Sequence, residues 1–391
     1  MKNNNLSNIS VILQGKHIIT RYSKKTPENM HYRSVIQDGS SRDIVCVAPS
    51  KSVEFHDDMY NNNIVAEEFI DGTMINLFWD THDWQIATRS CVGGKNRFYN
   101  DVPTFRHMFL ESLADEFNLD ELPRLSDNNL PLVYSFVLQH MANRIVTPIV
   151  HNKVYLVELF EINNKEHHAE INLIHLRENE FAKHLIEQFG FPRPILYKLN
   201  CSRTDIRLLK EKYASKQTPY IVQGIVFKNM ELGLRAKYRN PNYEVVRKLR
   251  GNQSSPLYRF LELNKSGNLS EYLNYYSEEG NTILYYQLLW NNYVKQLHDY
   301  YVDCYILHHN VVKSYPYNFK VHMYKLHEDY KETKLNTNVL KVDTYMHSLH
   351  PAQQMYVLNY TATSPKLSTD ASDQEIKECM HDICSTISDD Q

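Results

Sequence analysis

Glycine is scarce in this chain of 391 residues, which holds 11 of them against 28 tyrosines. No Gly-rich phosphate loop is visible, and Gly93-Gly94-Lys95 lacks the Walker spacing. No helicase motif and no Ser-His-Asp order appears either. Long hydrophobic runs are also missing: nothing approaches the roughly 20 apolar residues that a membrane span requires. The polar start Met1-Lys2-Asn3-Asn4 does not read as a signal peptide, so a soluble, cytoplasmic protein with no membrane partner is expected. The six cysteines (Cys46, Cys91, Cys201, Cys304, Cys379, Cys384) have no CxxC spacing, which argues against a disulfide frame or a zinc site and for reduced thiols. The histidine pairs His167-His168 and His308-His309 lack Cys or carboxylate partners at a ligand interval, so no metal site is expected there.

A strong charge of one sign is absent as well, the net value being −3. The segment from Lys366 to Gln391 carries seven acids against two lysines, which leaves the remainder near +2. Such a balance permits nucleic-acid binding without demanding it. What the chain does have is asparagine in runs (Asn3-Asn4-Asn5, Asn61-Asn62-Asn63) and abundant tyrosine. Their codons are AT-rich, which suggests an AT-rich genome such as that of a large DNA virus, and then a host-cytoplasm or virus-factory location.

The length suits two domains, since single cores stop growing near roughly 250–300 residues. From about residue 31 to 250, short apolar runs alternate with turn residues and read as strands: 43–48, 73–79, 84–88, 133–138 and 153–160. The pair flanking Asp80-Thr81-His82-Asp83 reads as a hairpin. Helical spacing is predicted over 105–117, 178–189 and 202–215. Beyond Asn252 the texture turns helical, over 257–263, 269–276, 282–309 and 318–327, with Tyr285, Tyr286, Leu288, Leu289 and Tyr293 as a core stripe. After about Asn359 the composition suggests disorder, with at most a short helix over 374–385. The expected division is a lead-in (1–30), an α+β domain (31–252), an all-helical domain (253–362) and an acidic, disordered tail (363–391).

The blocks that carry chemistry fall between Tyr32 and Gly251. Tyr32-Arg33-Ser34-Val35-Ile36 is followed by Pro49-Ser50-Lys51, then by Phe69-Ile70-Asp71-Gly72-Thr73 and Thr88-Arg89-Ser90. Next come Phe136-Val137-Leu138 with Asn143-Arg144-Ile145-Val146, Gln223-Gly224-Ile225-Val226-Phe227-Lys228, and Arg235-Ala236-Lys237. In this order and at these intervals they resemble the superfamily of RNA ligases and mRNA-capping guanylyltransferases, most nearly the phage-type RNA ligases. The resemblance implies an antiparallel-sheet nucleotidyltransferase domain, here followed by helices.

The departures from that pattern fall on the chemistry. The family's nucleophilic lysine is replaced by Phe69, whose ring has no lone pair with which to attack phosphorus. Val137 stands where the resemblance expects a carboxylate, and Gln223 where it expects glutamate. Both changes weaken a Mg²⁺ or Mn²⁺ site, which needs anionic oxygens, so no cofactor is expected. Phosphate-contacting cations survive: Arg33, Lys51, Arg89, Arg144, Lys228, Arg235 and Lys237. Arg33 and Lys228 also read as solvated-face or surface ion-pair residues, the commoner use of a lone cation on a strand, Asp71 as a turn cap, and Arg144 as part of a structural loop. Phe69 reads either as a plug for the space a lysine left or as a stacking platform.

The resemblance then implies a catalytically silent relative that binds a purine nucleotide or an RNA 5′ end. The mRNA cap is the natural specialisation, with Phe69 or Trp79 stacking the base, Asp71 or Glu68 accepting its N–H groups, and Arg235 with Lys237 on the phosphates. The helical domain would recruit translation or RNA-processing proteins. Two alternatives stay open: a live nucleotidyltransferase using Lys51 or Lys95, with Glu67, Glu68 and Asp71 around a metal, and a structural scaffold that binds no nucleotide.

Overall fold

Apolar residues at alternate positions make strands with two dissimilar faces, and the central strand of this protein shows the rule at work. Tyr134, Phe136 and Leu138 point into one hydrophobic cluster, while Val133 joins another on the opposite face. The computed structural model describes residues 9–24, 32–55, 64–99, 102–113, 117–166, 168–199, 203–231 and 233–363. Two units separate, Met1–Ser254 and Ser255–Gln391.

The first unit begins with β1 (Ile9–Gln14), β2 (His17–Tyr22), β3 (Tyr32–Asp38), β4 (Ile44–Pro49) and β5 (Ile64–Glu68). There follow β6 (Thr73–Trp79), β7 (Trp84–Thr88), β8 (Cys91–Val92), β9 (Leu132–Gln139), β10 (Lys153–Asn164) and β11 (Ala169–Ile174). The last are β12 (Leu196–Tyr197), β13 (Gly224–Asn229) and β14 (Leu234–Arg239). Among the described residues four helices accompany them: α1 (Phe105–Glu111), α2 (Glu180–Phe189), α3 (Arg203–Tyr213) and α4 (Pro241–Arg250). The second unit contains α5 (Pro256–Ser266), α6 (Leu269–Tyr275), α7 (Gly280–Tyr305), α8 (Tyr317–Thr333), α9 (Val339–Ser348) and α10 (Pro351–Thr363).

Among the described residues three sheets result, with strand orders β1-β2-β3-β4, β11-β10-β9-β6-β7-β8 and β12-β5-β13-β14. Neighbouring strands in all three pair antiparallel. The six-stranded sheet is buried on both sides. One face packs Ile75, Leu77, Tyr134 and Phe136 on Phe105, Met108 and Phe109 of α1 and Leu185 of α2. The other packs Phe78, Val133 and Phe160 on Ile19, Val35 and Val47 of the first sheet. Each such side chain contributes about 1.5–3 kcal/mol on full burial. The third sheet uses Ile64, Ala66, Ile225 and Phe227 against Ile206 of α3. The architecture is therefore α+β with antiparallel sheets, followed by helices.

The β6–β7 hairpin forms as predicted. Its turn is held by Asp80, whose Oδ1 accepts the N–H groups of His82 (3.2 Å) and Asp83 (3.1 Å). The same carboxylate meets Lys16 at 3.2 Å and so ties the hairpin to the first sheet.

Some elements depart from the expected pattern. Residues 9–24 of the presumed lead-in form β1 and β2, which pair with each other and extend to β3. Helix α1 ends at Glu111, six residues before the predicted end. Helix α4 was not predicted, although Asn240 caps it on the Asn242 N–H, Pro241 opens its first turn and Gly251 follows its last. Helices α9 and α10 also lie where no element was read. The 374–385 helix and the tail fall outside the described residues.

In the second unit Trp290, Tyr293, Leu297, Phe319 and Met323 form the core. From the predicted stripe, Tyr293 is buried and Tyr286 packs on Phe260, but Tyr285 is 55% exposed. Among the described residues no helix is long and apolar enough to cross a membrane.

Candidate functional site

Three departures from plain strand geometry shape the site. After β5 the chain passes through Phe69 to Gly72, whose φ is +157°. A Cβ on Gly72 would meet the Leu138 carbonyl oxygen of β9 at 2.4 Å, so only glycine lets this turn lie against the sheet. Gly224 repeats the device at the start of β13, where a Cβ would meet the Tyr238 carbonyl oxygen at 2.0 Å. Between Leu156 and Glu158 the β9–β10 register shifts, and Val157 and Glu158 both come to the cavity side of the sheet.

These features enclose a cavity of about 380 Å³. Its floor is apolar: Ile70, Val137 and Val157 cluster with Met74. Phe69 stands at the side and is half-buried. Lys237 Nζ lies 5.5 Å and Arg239 Cζ 5.8 Å from its ring centroid.

Cations line the walls. Arg33 comes from β3, Lys51 from the segment after β4, and Arg89 from the turn after β7. Arg235, Lys237 and Arg239 come from β14, where alternation sets all three on one face and the buried Ala236 on the other. All three sheets thus contribute positive charge to one space. Arg239 was not singled out in the sequence, although it is the third member of that alternation.

Crowding of like charges marks this wall. Desolvation, then Arg239, Arg235, Arg33 and Arg247, push the Lys237 ammonium down to about 8. Desolvation followed by repulsion from Arg89 and Arg235 lowers Arg33, and desolvation with Arg33 and Arg89 lowers Lys51. Arg235 Nε and Arg239 Nε are buried donors without a hydrogen-bond partner. Across from them Gln223 is 8% exposed and its Oε1 is a buried acceptor without a partner.

Other candidates are already committed elsewhere. Lys228 is buried and bound to Glu67 (2.8 Å), Glu158 (3.8 Å) and the Val157 carbonyl (3.1 Å), which makes it an internal counter-ion at the cavity edge. Asp71 does not face the cationic cavity. Its Oδ2 accepts the N–H groups of Val146 (3.0 Å) and Thr147 (2.9 Å), and its Oδ1 accepts the Tyr243 hydroxyl (2.7 Å). That use is a clasp between the turn and the loop after β9. Arg144 serves the same loop, donating to the Val146 carbonyl at 3.0 and 2.9 Å, and it does not line the cavity. Trp79 packs on Trp84 under Arg124, whose Cζ is 3.5 Å from the ring centroid, away from the cavity. Lys51 lines the cavity and also donates to the Ser23 carbonyl; Lys95 is exposed and outside it.

A Mg²⁺ or Mn²⁺ ion, as the resemblance implies, does not fit these side chains. Val137 has no oxygen and Gln223 no charge. Glu67 is already paired with Lys228 at 2.8 Å and Arg177 at 3.8 Å, and Glu158 with Arg235 at 3.6 Å. Among the described residues no group of three His, Cys, Asp or Glu side chains is placed to hold a metal.

Comparison of the fold with solved structures finds ATP-dependent ligases. A protein described as a putative ATP-dependent DNA ligase from Aquifex aeolicus shares 16% identity over 75% of this chain and 78% of its own, with a TM-score of 0.42. An archaeal ATP-dependent RNA ligase shares 13% over 72% and 67%, with a TM-score of 0.41. A Naegleria gruberi RNA ligase variant crystallised with ATP and Mn shares 12% over 48% and 52%, with a TM-score of 0.35. No family model matches the chain, and no curated protein matches it in sequence. Likenesses this remote assign no function, and the reading rests on the chemistry of the site.

Proposed function

We propose that the first unit binds the phosphates of a nucleotide or of an RNA 5′ end and does not transfer nucleotide to itself. One observation carries this reading: besides Lys228, six cationic side chains, brought in by β3, β14 and the segments after β4 and β7, border one cavity, and among the described residues Arg33, Arg89 and Lys237 have no carboxylate paired to them. A bound polyanion relieves that repulsion and supplies acceptors for the unpaired guanidinium donors. The apolar floor and Phe69 then suit a base. The mRNA cap is a specialisation of the same reading, with Phe69 and Glu68 as the base-contacting residues that remain once Asp71 and Trp79 are engaged elsewhere. The sequence resemblance to ligases and capping enzymes supports it, and the ordered loss of Lys, Glu and Glu at Phe69, Val137 and Gln223 supports silence. Partner recruitment through the helical unit belongs to the same proposal.

The test has two arms. Incubation with α-labelled ATP or GTP and Mn²⁺ leaves no label on the protein, and capped or triphosphorylated RNA binds with an affinity that falls as salt rises. Covalent label ends the silent reading; salt-independent or absent binding ends the phosphate reading and favours a scaffold. A specific observation defines the active alternative. The depressed Lys237 amine, facing Phe69, is the residue best suited to attack an α-phosphate, forming a P–N bond as pyrophosphate leaves and a proton goes to solvent. Were label to appear, Lys237→Arg would abolish it, whereas Lys51→Arg and Lys95→Arg would not.

A further inference from the structure

Beyond Phe69 lies a second cavity of about 420 Å³, within the usual range of roughly 300–1,000 Å³ for ligand sites. It shares Glu68, Phe69, Ile70 and Gln223 with the cationic cavity. Its walls differ in kind, since no lysine or arginine lines it among the described residues. Ile195 and Ile221 supply aliphatic surface and are 58% and 48% exposed. Tyr197 and Tyr213 stack with ring centroids 4.2 Å apart and planes 22° from parallel.

Two acids border this space. Asp71 is taken up by Val146, Thr147 and Tyr243. Glu68 accepts the Ile195 N–H at 3.2 Å through Oε2 and repels phosphate, but its other oxygen suits the N–H donors of a base. Gln223 stands where the two cavities meet, with its buried Oε1 lacking a donor. A site with cations on one side of Phe69 and aromatic, aliphatic walls on the other sorts phosphate from base.

We propose that the ligand is longer than one nucleotide: the 5′ phosphates of an RNA occupy the cationic cavity, and an adjoining nucleobase enters the second one. There the base packs beside the Tyr197–Tyr213 pair, and Gln223 Oε1 accepts a sugar hydroxyl or base N–H. Continuity through Phe69 with the cationic wall selects a nucleobase over a free apolar peptide, because whatever enters is tethered to an anion. This inference rests on the phosphate-binding reading above.

The experiment is competition binding on the full chain with a 5′-triphosphorylated mononucleotide, dinucleotide and tetranucleotide at one salt concentration. The dinucleotide is expected to bind about tenfold tighter than the mononucleotide, as one added stacked base provides. Ile221→Asp and Ile195→Asp, both at exposed positions, are expected to return the dinucleotide to mononucleotide affinity, and Tyr213→Leu to halve the gain or more. Equal affinity for mono- and dinucleotide overturns the second subsite while leaving the phosphate reading intact. A gain that survives both aspartate substitutions overturns it too. No binding by any of the three overturns both readings.

Discussion

In the helical unit Arg259 is 4% exposed and meets Glu279 at 2.7 Å, Trp290 donates to Asp343 at 2.7 Å, and Lys341 pairs with Asp329. In the sheet unit Arg33, Arg89 and Lys237 border one cavity with no carboxylate paired to any of them among the described residues. The first arrangement is what packing for stability produces, since a buried charge is costly unless matched. The second stores repulsion, which folding alone does not favour. A bound anion would complete the charge balance there.

Breaking a matched pair in the helical unit should have the largest effect on stability. Arg259→Ala removes the buried partner that Glu279 meets at 2.7 Å and is expected to cost about 3–5 kcal/mol in denaturant unfolding. Phosphate-ligand affinity of the folded fraction should stay unchanged.

The unmatched wall should respond in binding instead. The Arg235→Ala, Lys237→Ala double variant is expected to weaken triphosphate ligands on the order of 100-fold, by loss of charge-assisted hydrogen bonds. Its salt dependence towards triphosphorylated RNA should be shallower by about 1.4 in log–log slope, about 0.7 for each cation removed, read by anisotropy titration. An unchanged slope would mean that these side chains do not touch phosphate.

A smaller effect should separate base from phosphate. Phe69→Leu is expected to reduce nucleotide affinity about tenfold. Inorganic triphosphate, which has no base, should bind Phe69→Leu and the parent protein alike.

The Lys237 amine gives a pH test of the same contrast. Its folded value near 8 lies below the ordinary lysine value of 10.5, so the unfolded chain holds more proton between those limits. Stability from this group is least below pH 8 and rises from there towards 10.5, the reverse of a paired lysine. Ligand affinity moves the other way, falling as pH passes about 8 and the ammonium is lost. Lys237→Met should flatten both profiles.

The smallest expected changes concern residues that the sequence suggested and the fold turned elsewhere. Trp79→Phe and Arg144→Lys should alter ligand affinity within about twofold. A larger loss for either would move the site.

How much of this was legible beforehand differs by element. Strands 73–79 and 84–88 were read to the residue because alternation and the Asp80 turn are local signals. Strands β1 and β2 were missed. Their flanks are short and polar, and what fixes them is pairing with β3 and the Asp80–Lys16 contact, a long way along the chain. Helix α4 was missed despite a complete capping signature at Asn240, Pro241 and Gly251. At the site, Phe69, Val137 and Gln223 do converge on one cavity, as their places in the blocks suggested. Asp71, Arg144, Lys228 and Trp79 carry the right chemistry for a ligand, yet each is claimed by a nearer partner.

The order of the blocks along the chain, the phenylalanine at position 69 and the alternation of basic residues on β14 are properties of one dimension, and the sequence alone determined them. Which cations stand without a counter-ion is a property of three dimensions. An acid 161 or 77 residues away in the chain, as Glu67 and Arg235's partner Glu158 are from Lys228 and Arg235, neutralises a cation only where the sheets bring them within a few ångströms. Coulomb energy depends on distance through space and on exclusion of water, and neither can be counted along a chain.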